Sequence, residues 1–314
     1  MILSVSRRTD IPAFYSDWFY NRIEEGYVEV RNPMNVHQIS KIKLSPDTIE
    51  CIVFWTKNPS DKFVENLKIL DDLGYTYYFQ FTITPYDKAI ERNVPEKKQI
   101  MQTFINLSDK IGKEKVLWRY DPIFLSEKYT LDYHYKCFDY MASNLDSFTD
   151  KCIISFIDRY SRINNRLELE NINDATYLQM LNIGKQFSLI ASKYNIKIET
   201  CSENVDFKTY GIEKGHCIDG ELIKKITNKQ FLFKKDATQR KECGCISSVD
   251  IGAYNTCRHN CVYCYANWID MVDKHVIRYN PRSTLLCSEI EHDDKVIDKT
   301  ILSCPVEEQK LFDY

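Results

Sequence analysis

No run in the 314-residue chain approaches the ~20 apolar residues that a membrane-crossing helix needs. The opening stretch MILSVSRRTD puts its apolar residues before its two arginines, the reverse of a secretory signal, so a cytoplasmic protein with no membrane partner is expected. A surplus of one charge is missing too. Lys+Arg 42 against Asp+Glu 45 leave a net charge of −3, which argues against a broad nucleic-acid surface but not against a local one. No internal repeat and no low-complexity tract occurs. Cysteine, at 12 of 314 residues, falls well short of the ~8–10% of a disulfide scaffold. In a reducing compartment such thiols are buried hydrophobes or metal ligands. The chain is 44% hydrophobic and 28% charged, which excludes intrinsic disorder and leaves material for a core. Its length allows two domains of about 150 residues, or one α/β barrel of about 250 with an appendage.

What is present is an alternation of strand-like and helix-like patterns. Short runs rich in β-branched and aromatic residues fall at 1–5, 51–55 (CIVFW), 77–83 (YYFQFTI), 116–118, 152–156 (CIISF) and 196–199, with a weaker one at 248–252. Between them, 13–23, 59–73, 95–111, 129–145, 175–194 and 266–276 read as helices. The alternation predicts βαβ units and a parallel sheet, as a TIM-like barrel or partial barrel. Polar residues follow most strands: Arg7, Arg8 and Asp10; Thr56 and Lys57; Arg119 and Asp121; Asp158; Cys201 and Glu203. In a parallel barrel these ends share one face, where chemistry is placed. Residues 1–203 are read as the barrel units, 204–280 as a cysteine-rich segment packed on the rim and 281–314 as a tail.

Cys257, Cys261 and Cys264 form a C-x3-C-x2-C motif between a strand-like and a helix-like stretch. Soft thiolates at this spacing select an iron–sulfur cluster or zinc, and three of them leave one iron of a 4Fe–4S cube open to an exogenous ligand. With Tyr263 before its last cysteine, the motif resembles the signature of radical S-adenosylmethionine (radical SAM) enzymes. The resemblance implies that Cys257, Cys261 and Cys264 hold the cluster. The open iron would chelate S-adenosylmethionine, which is reductively cleaved to a 5′-deoxyadenosyl radical, and Tyr263 would neighbour the adenine. A low-potential electron donor such as flavodoxin or ferredoxin is then an expected partner. Such enzymes carry the motif after the first strand, whereas here it follows residue 250. A circular permutation that moved the first strand–cluster–helix unit to the chain end would reconcile the two. The chain is also similar to a bacterial family catalogued as domain of unknown function 1848, through SVSRRTDIPAFY, VFWTKNP, WRYDPI, GHCIDGEL, KKDATQRKECGC and DIGAYNTCRHNCVYCYAN. Members are loosely labelled DNA repair photolyase, by similarity to spore photoproduct lyase, which supplies no reaction.

Cys201, Cys217, Cys243 and Cys245 could complete a second 4Fe–4S cluster or a structural zinc, with Gly244 relieving crowding between neighbouring ligands. The alternatives are that Cys201 or Cys217 is a plain buried thiol, or that one of the four completes the first cluster. Cys51, Cys137 and Cys152 lie in apolar patterns and are read as core; Cys287 and Cys304 are given no role. Arg119, Asp121, Glu203 and Asp10 are the catalytic candidates, with Arg119 and Glu203 also candidates, beside Tyr263, to hold the cofactor. Arg7, Arg8 and Asp10 follow the first strand closely, and the two arginine forks suit a carboxylate or phosphate group, or a structural ion pair with Asp121 or Glu203. The basic run Lys234, Lys235, Arg240 and Lys241 would meet an anionic substrate, nucleic acid among them, or remain a solvated face. His259, inside the motif, could hydrogen-bond a sulfide or simply be exposed. The leading expectation is a radical SAM-type enzyme on an unknown substrate. The alternatives are an iron–sulfur electron-transfer or redox-sensing protein, and a zinc-stabilised nucleic-acid-binding protein.

Overall fold

Strands that read as nearly unbroken apolar runs are those covered on both faces, and parallel sheets are built from them. The computed structural model, which describes residues 1–299, bears this out; Cys304 and the rest of 300–314 lie outside the described residues. The strands are β1 (Ile2–Val5), β2 (Tyr27–Asn32), β3 (Asn35–Lys43), β4 (Cys51–Thr56), β5 (Tyr77–Thr82), β6 (Val116–Ile123), β7 (Lys151–Phe156), β8 (Lys197–Thr200), β9 (Glu213–Lys214), β10 (Val249–Asp250) and β11 (Lys295–Asp298). The helices are α1 (Ile11–Phe14), α2 (Ser16–Glu25), α3 (Asp61–Glu65), α4 (Leu67–Asp72), α5 (Lys97–Ile111), α6 (Leu131–Leu145), α7 (Asn164–Leu169), α8 (Tyr177–Lys193), α9 (Gly220–Thr227) and α10 (Ile269–Val276). None of the described helices is long and apolar enough to cross a membrane.

Eight strands form one sheet in the order β10-β1-β4-β5-β6-β7-β8-β9. Every pairing in it is parallel. The weak stretch at 248–252 thus does contribute a strand. β10 pairs with β1 in the register Leu3↔Val249 and Ser4↔Asp250, so a late piece of chain stands ahead of the first one in space. β9 and β10 are the two edges of this order, and no ladder joins them among the described residues.

Alternation along the strands sorts the residues between two layers. Ile52, Phe54, Phe79, Phe81, Trp118, Tyr120 and Ile154 pack outward, into the core shared with α2, α5, α6 and α8. The residues between them, Val53, Tyr78, Leu117 and Ile153, face the other way and meet Cys217, Ile218, Ile223 and Phe231 from the segment around α9. On the inner face long side chains reach across neighbouring strands. Here the Trp55 ring of β4 lies under both Arg7, beyond β1, and Arg119 of β6, with guanidinium carbons 5.8 and 5.3 Å from its centroid.

Several elements depart from expectation. Residues 59–73 split into α3 and α4 at Asn66, and 13–23 fall within α1 and α2, separated by Tyr15. The antiparallel hairpin β2–β3, extended by β11, forms a separate three-stranded sheet that the apolar runs did not mark. Helix α9 was also unmarked, though Asp219 caps it through its Oδ1, which accepts from the backbone N–H groups of Glu221 and Leu222.

Candidate functional site

Because inner-face side chains climb each strand at every second position, the last of them emerge together at the C-terminal ends. Ser6, Trp55, Arg119, Asp121, Ser155 and Cys201 arrive there by that rule and line one cavity of about 430 Å³. Cys257, Cys261 and Cys264 line it from the loop after β10, and Cys217, Cys243 and Cys245 from the segment around α9. All seven cysteines of the two sets therefore face one space.

The loop carrying the first three is anchored from four directions. Asp250, at the end of β10, accepts from Ser4 Oγ (2.8 Å), Ser6 Oγ (2.6 Å) and the backbone N–H groups of Arg7 (2.9 Å) and Gly252 (3.0 Å). Gly252 must be glycine for this approach, since a Cβ there would stand 2.0 Å from Ser6 Oγ. Asn255 and Asn260 take left-handed backbone (φ 59° and 57°), where asparagine is favoured among side-chain-bearing residues. The Cys257 carbonyl accepts from Asn267 Nδ2 (2.7 Å) and the Cys264 carbonyl from Arg166 Nη2 (2.8 Å). From the loop after β5, the Val262 N–H donates to Ile90 O (2.9 Å) and the Asn93 N–H to His259 O (3.0 Å). Burial raises the thiol pKa values of all three cysteines.

The second set forms a contact network of its own. Cys201 Sγ lies 2.9 Å from Cys217 Sγ, and the Ile218 N–H donates to Cys245 Sγ at 3.4 Å. A hydrogen bond from Cys245 draws the Cys243 thiol down to about 6 against the effect of burial. Arg119 Nη1 donates to Cys217 Sγ at 2.8 Å, while its Nη2 is ion-paired with Asp121. Gly244 is required for a different reason than ligand crowding: a Cβ there would meet His216 Nδ1 at 2.0 Å.

The remaining candidates separate. Asp10 is buried; its Oδ1 accepts from the Ala13 N–H (3.0 Å), and its Oδ2 accepts from the Lys57 N–H (2.7 Å) and lies 2.8 Å from His259 Nε2. Among the described residues neither Arg7 nor Arg8 pairs with Asp121 or Glu203; Asp121 pairs with Arg119, and Arg8 stands 3.9 Å from Asp250. His259 is buried, not exposed. Glu203 does not line the cavity; its Oε1 accepts from the Phe156 N–H at 2.8 Å, and burial raises its carboxyl to about 7. Tyr263 lines the cavity, but its hydroxyl donates to Glu91. Lys234, Lys235 and Lys241 are exposed and away from the cavity, whereas Arg240 lines it and pairs with Asp158 at 2.8 Å. Cys51 and Cys152 are fully buried, Cys137 is half-buried and Cys287 is buried.

The Glu91 cluster had no motif to announce it. This carboxylate is 1% exposed and bonds Lys57 (2.7 Å), Lys97, Thr84 (2.7 Å) and Tyr263. Burial opposes its charge, yet the two ammonium groups hold its carboxyl well below the usual range. Glu91 also bridges to Cys261 through the backbone, so it ties the motif loop to the ends of β4 and β5.

The donor chemistry fits soft-metal groups. Thiols are gathered as three and four, and beside each set a buried imidazole nitrogen, His259 Nδ1 or His216 Nδ1, has no hydrogen-bond partner among the described residues. No group of three or more His, Cys, Asp or Glu side chains among those residues stands at metal-ligand spacing; the thiols of the second set contact one another instead. A family model described as domain of unknown function (DUF1848) matches residues 2–266. No curated protein matches the chain.

Proposed function

From the premise that this chain belongs to the DUF1848 family, whose description states no reaction, we propose that it is an iron–sulfur enzyme of radical SAM type. The observation that carries the reading is the position of β10. It stands beside β1 and delivers Cys257, Cys261 and Cys264 to the cavity at the strand C-termini. Were β10 placed first in the chain, the sheet would run in sequence order with the motif after its first strand, which favours a permuted, partial TIM-like barrel.

Bound at Cys257, Cys261 and Cys264, a 4Fe–4S cluster supplies an open iron for S-adenosylmethionine and the electron that cleaves it. The chain does the rest. Asp10 holds the His259 imidazole of the motif loop through its Nε2. The Glu91 cluster fixes Tyr263 and Lys57 on the cavity wall. Arg119, with Asp121, offers a fixed charge pair at the rim. Cys201, Cys217, Cys243 and Cys245 would hold a second cluster, closed by four thiolates.

The test is iron and acid-labile sulfide per chain after anaerobic purification, with the Cys257/Cys261/Cys264 triple alanine variant beside it. About eight irons in the native protein and about four in the variant are expected, one cube for each cysteine set. Under a low-potential reductant, the native protein is expected to release 5′-deoxyadenosine from S-adenosylmethionine and the variant is not. Zinc without iron in both samples would end this reading.

A further inference from the structure

A second cavity, of about 500 Å³, opens beside the first and shares Arg7, Arg8, Tyr160, Gln239 and Tyr265 with it. Arg162 and Tyr254 complete its cationic and aromatic wall. The guanidinium carbons of Arg8 and Arg162 lie 5.1 and 5.6 Å from the centroid of the Tyr254 ring, and that of Arg162 also lies 5.4 Å from the centroid of Trp268. Tyr160 and Tyr265 meet at 5.3 Å, and both rings, like Trp268, are more than a third exposed.

The charge at this mouth is not answered from within. Each arginine spends a side-chain bond on a neutral oxygen: Arg7 on Ser248 Oγ (3.3 Å), Arg8 on Gly252 O (3.3 Å) and Arg162 on Tyr265 O (3.1 Å). A guanidinium has five donors, so most remain free. Asp250 is the carboxylate of this wall, and its oxygens are taken by Ser4, Ser6 and two backbone N–H groups. Among the described residues neither Arg7 nor Arg162 has a carboxylate at ion-pair distance; Arg8 reaches Asp250 only at 3.9 Å. Held on ring faces, these guanidiniums are preorganised forks, the geometry that matches phosphate oxygens two at a time. The exposed rings beside them offer planar faces for stacking. A simple carboxylate would leave the rings unused, and an apolar ligand would cover three half-buried cations that share the single carboxylate of Asp250.

We propose that this second cavity binds a nucleotide unit, its phosphate on Arg7, Arg8 and Arg162 and its base against the Tyr160 and Tyr265 rings. Naming that unit the substrate rests on the radical-enzyme reading; the binding itself does not.

The experiment is calorimetric titration of the anaerobic, full-length holoprotein without reductant, so that no turnover occurs. The probes are uridine 5′-monophosphate, uridine, inorganic phosphate and a short single-stranded oligonucleotide. The monophosphate is expected to bind more tightly than uridine or phosphate alone. Arg162→Gln is expected to weaken it by about tenfold or more, the worth of one charge-assisted hydrogen bond, and Tyr254→Leu likewise, with iron content unchanged in both. An oligonucleotide that binds more tightly than the monophosphate identifies a strand as the source, and equal binding a free nucleotide. A monophosphate no tighter than phosphate, or undiminished binding in Arg162→Gln, overturns the proposal. An iron-free protein that still binds the monophosphate would sink the cluster reading alone. An eight-iron protein that does not bind it would sink this one alone.

Discussion

The guanidinium of Arg119 donates to Cys217 Sγ at 2.8 Å from a position 5% exposed, with Asp121 as its ion-pair partner. A donor on a cluster thiolate, carrying a full charge in a poorly solvated site, favours the more negative, reduced form of that cluster. Arg119→Gln is therefore expected to keep its iron and to lower the midpoint potential of the second cluster by on the order of 100 mV, the equivalent of a charge-assisted hydrogen bond. Redox titration followed by electron paramagnetic resonance checks it, and an unchanged potential would place the bond outside the cluster's influence. A second prediction concerns the core. His134 is fully buried, with Tyr120 Oη 2.9 Å from Nδ1 and Phe124 O 2.9 Å from Nε2. Burial lowers its pKa to about 4. The unfolded chain then takes up a proton at a pH where the folded one does not. The stability held by the neutral imidazole is complete above about pH 6.5 and is lost as pH falls from there toward 4. Relative to His134→Gln, the native protein is expected to lose about 2 kcal/mol between pH 8 and pH 5, read from urea denaturation. At this scale the sequence was legible in the spacing of the three motif cysteines, which do face one cavity. It was silent on Glu91, because a lone glutamate in a loop carries no spacing that foretells two lysines, a threonine and a tyrosine closing on it.

The turn Cys243-Gly244-Cys245 delivers two thiols to the second set from one short element, and its glycine admits the His216 ring to within what would be 2.0 Å of a Cβ. Gly244→Ala is expected to displace that ring or the turn and to cost 1–3 kcal/mol, about the usual penalty of overpacking, with loss of part of the second cluster's iron. Adding His216→Ala should restore both, because the obstacle is then gone. If the double variant is no better than the single one, the glycine serves the ligands and not the imidazole. The larger elements were readable for a simple reason: strands covered on both faces are nearly unbroken apolar runs, as β4 and β5 are apart from Gln80 and their terminal threonines. The β2–β3 hairpin was missed because its strands are partly exposed and mix polar with apolar residues, as in NVHQISKIK, and so lack a continuous run. β10 was faint because only two of its residues pair, and one is Asp250, whose task is to bind Ser4, Ser6 and two N–H groups rather than to fill a core.

In the whole molecule, the two thiol sets join pieces of chain that the sheet alone does not. Cys201 follows β8, while Cys217, Cys243 and Cys245 belong to the segment between β8 and β10, whose regular structure is limited to β9, α9 and a short 3₁₀ turn. That segment covers the inner face through Cys217, Ile218, Ile223 and Phe231, so the three thiols it carries, Cys217, Cys243 and Cys245, are also core residues. Strands β4 to β7, by contrast, are held by ladders, with one register shift between Tyr120 and Ile123, and by the aromatic layer on their outer face. A bound cluster contributes its binding energy to the folded state only, and losing it withdraws that energy from the segments it joins. Removing iron by air oxidation and chelation is thus expected to open residues 215–247 and the motif loop at 253–268 while leaving the central strands closed. Amide hydrogen exchange should rise by about tenfold or more in those two regions, with β4 to β7 unchanged, the pattern of local rather than global unfolding. Uniform loss of protection would mean that the clusters support the entire fold. No change in 215–247 would mean that its apolar contacts with Val53, Tyr78, Leu117 and Ile153 suffice without a metal.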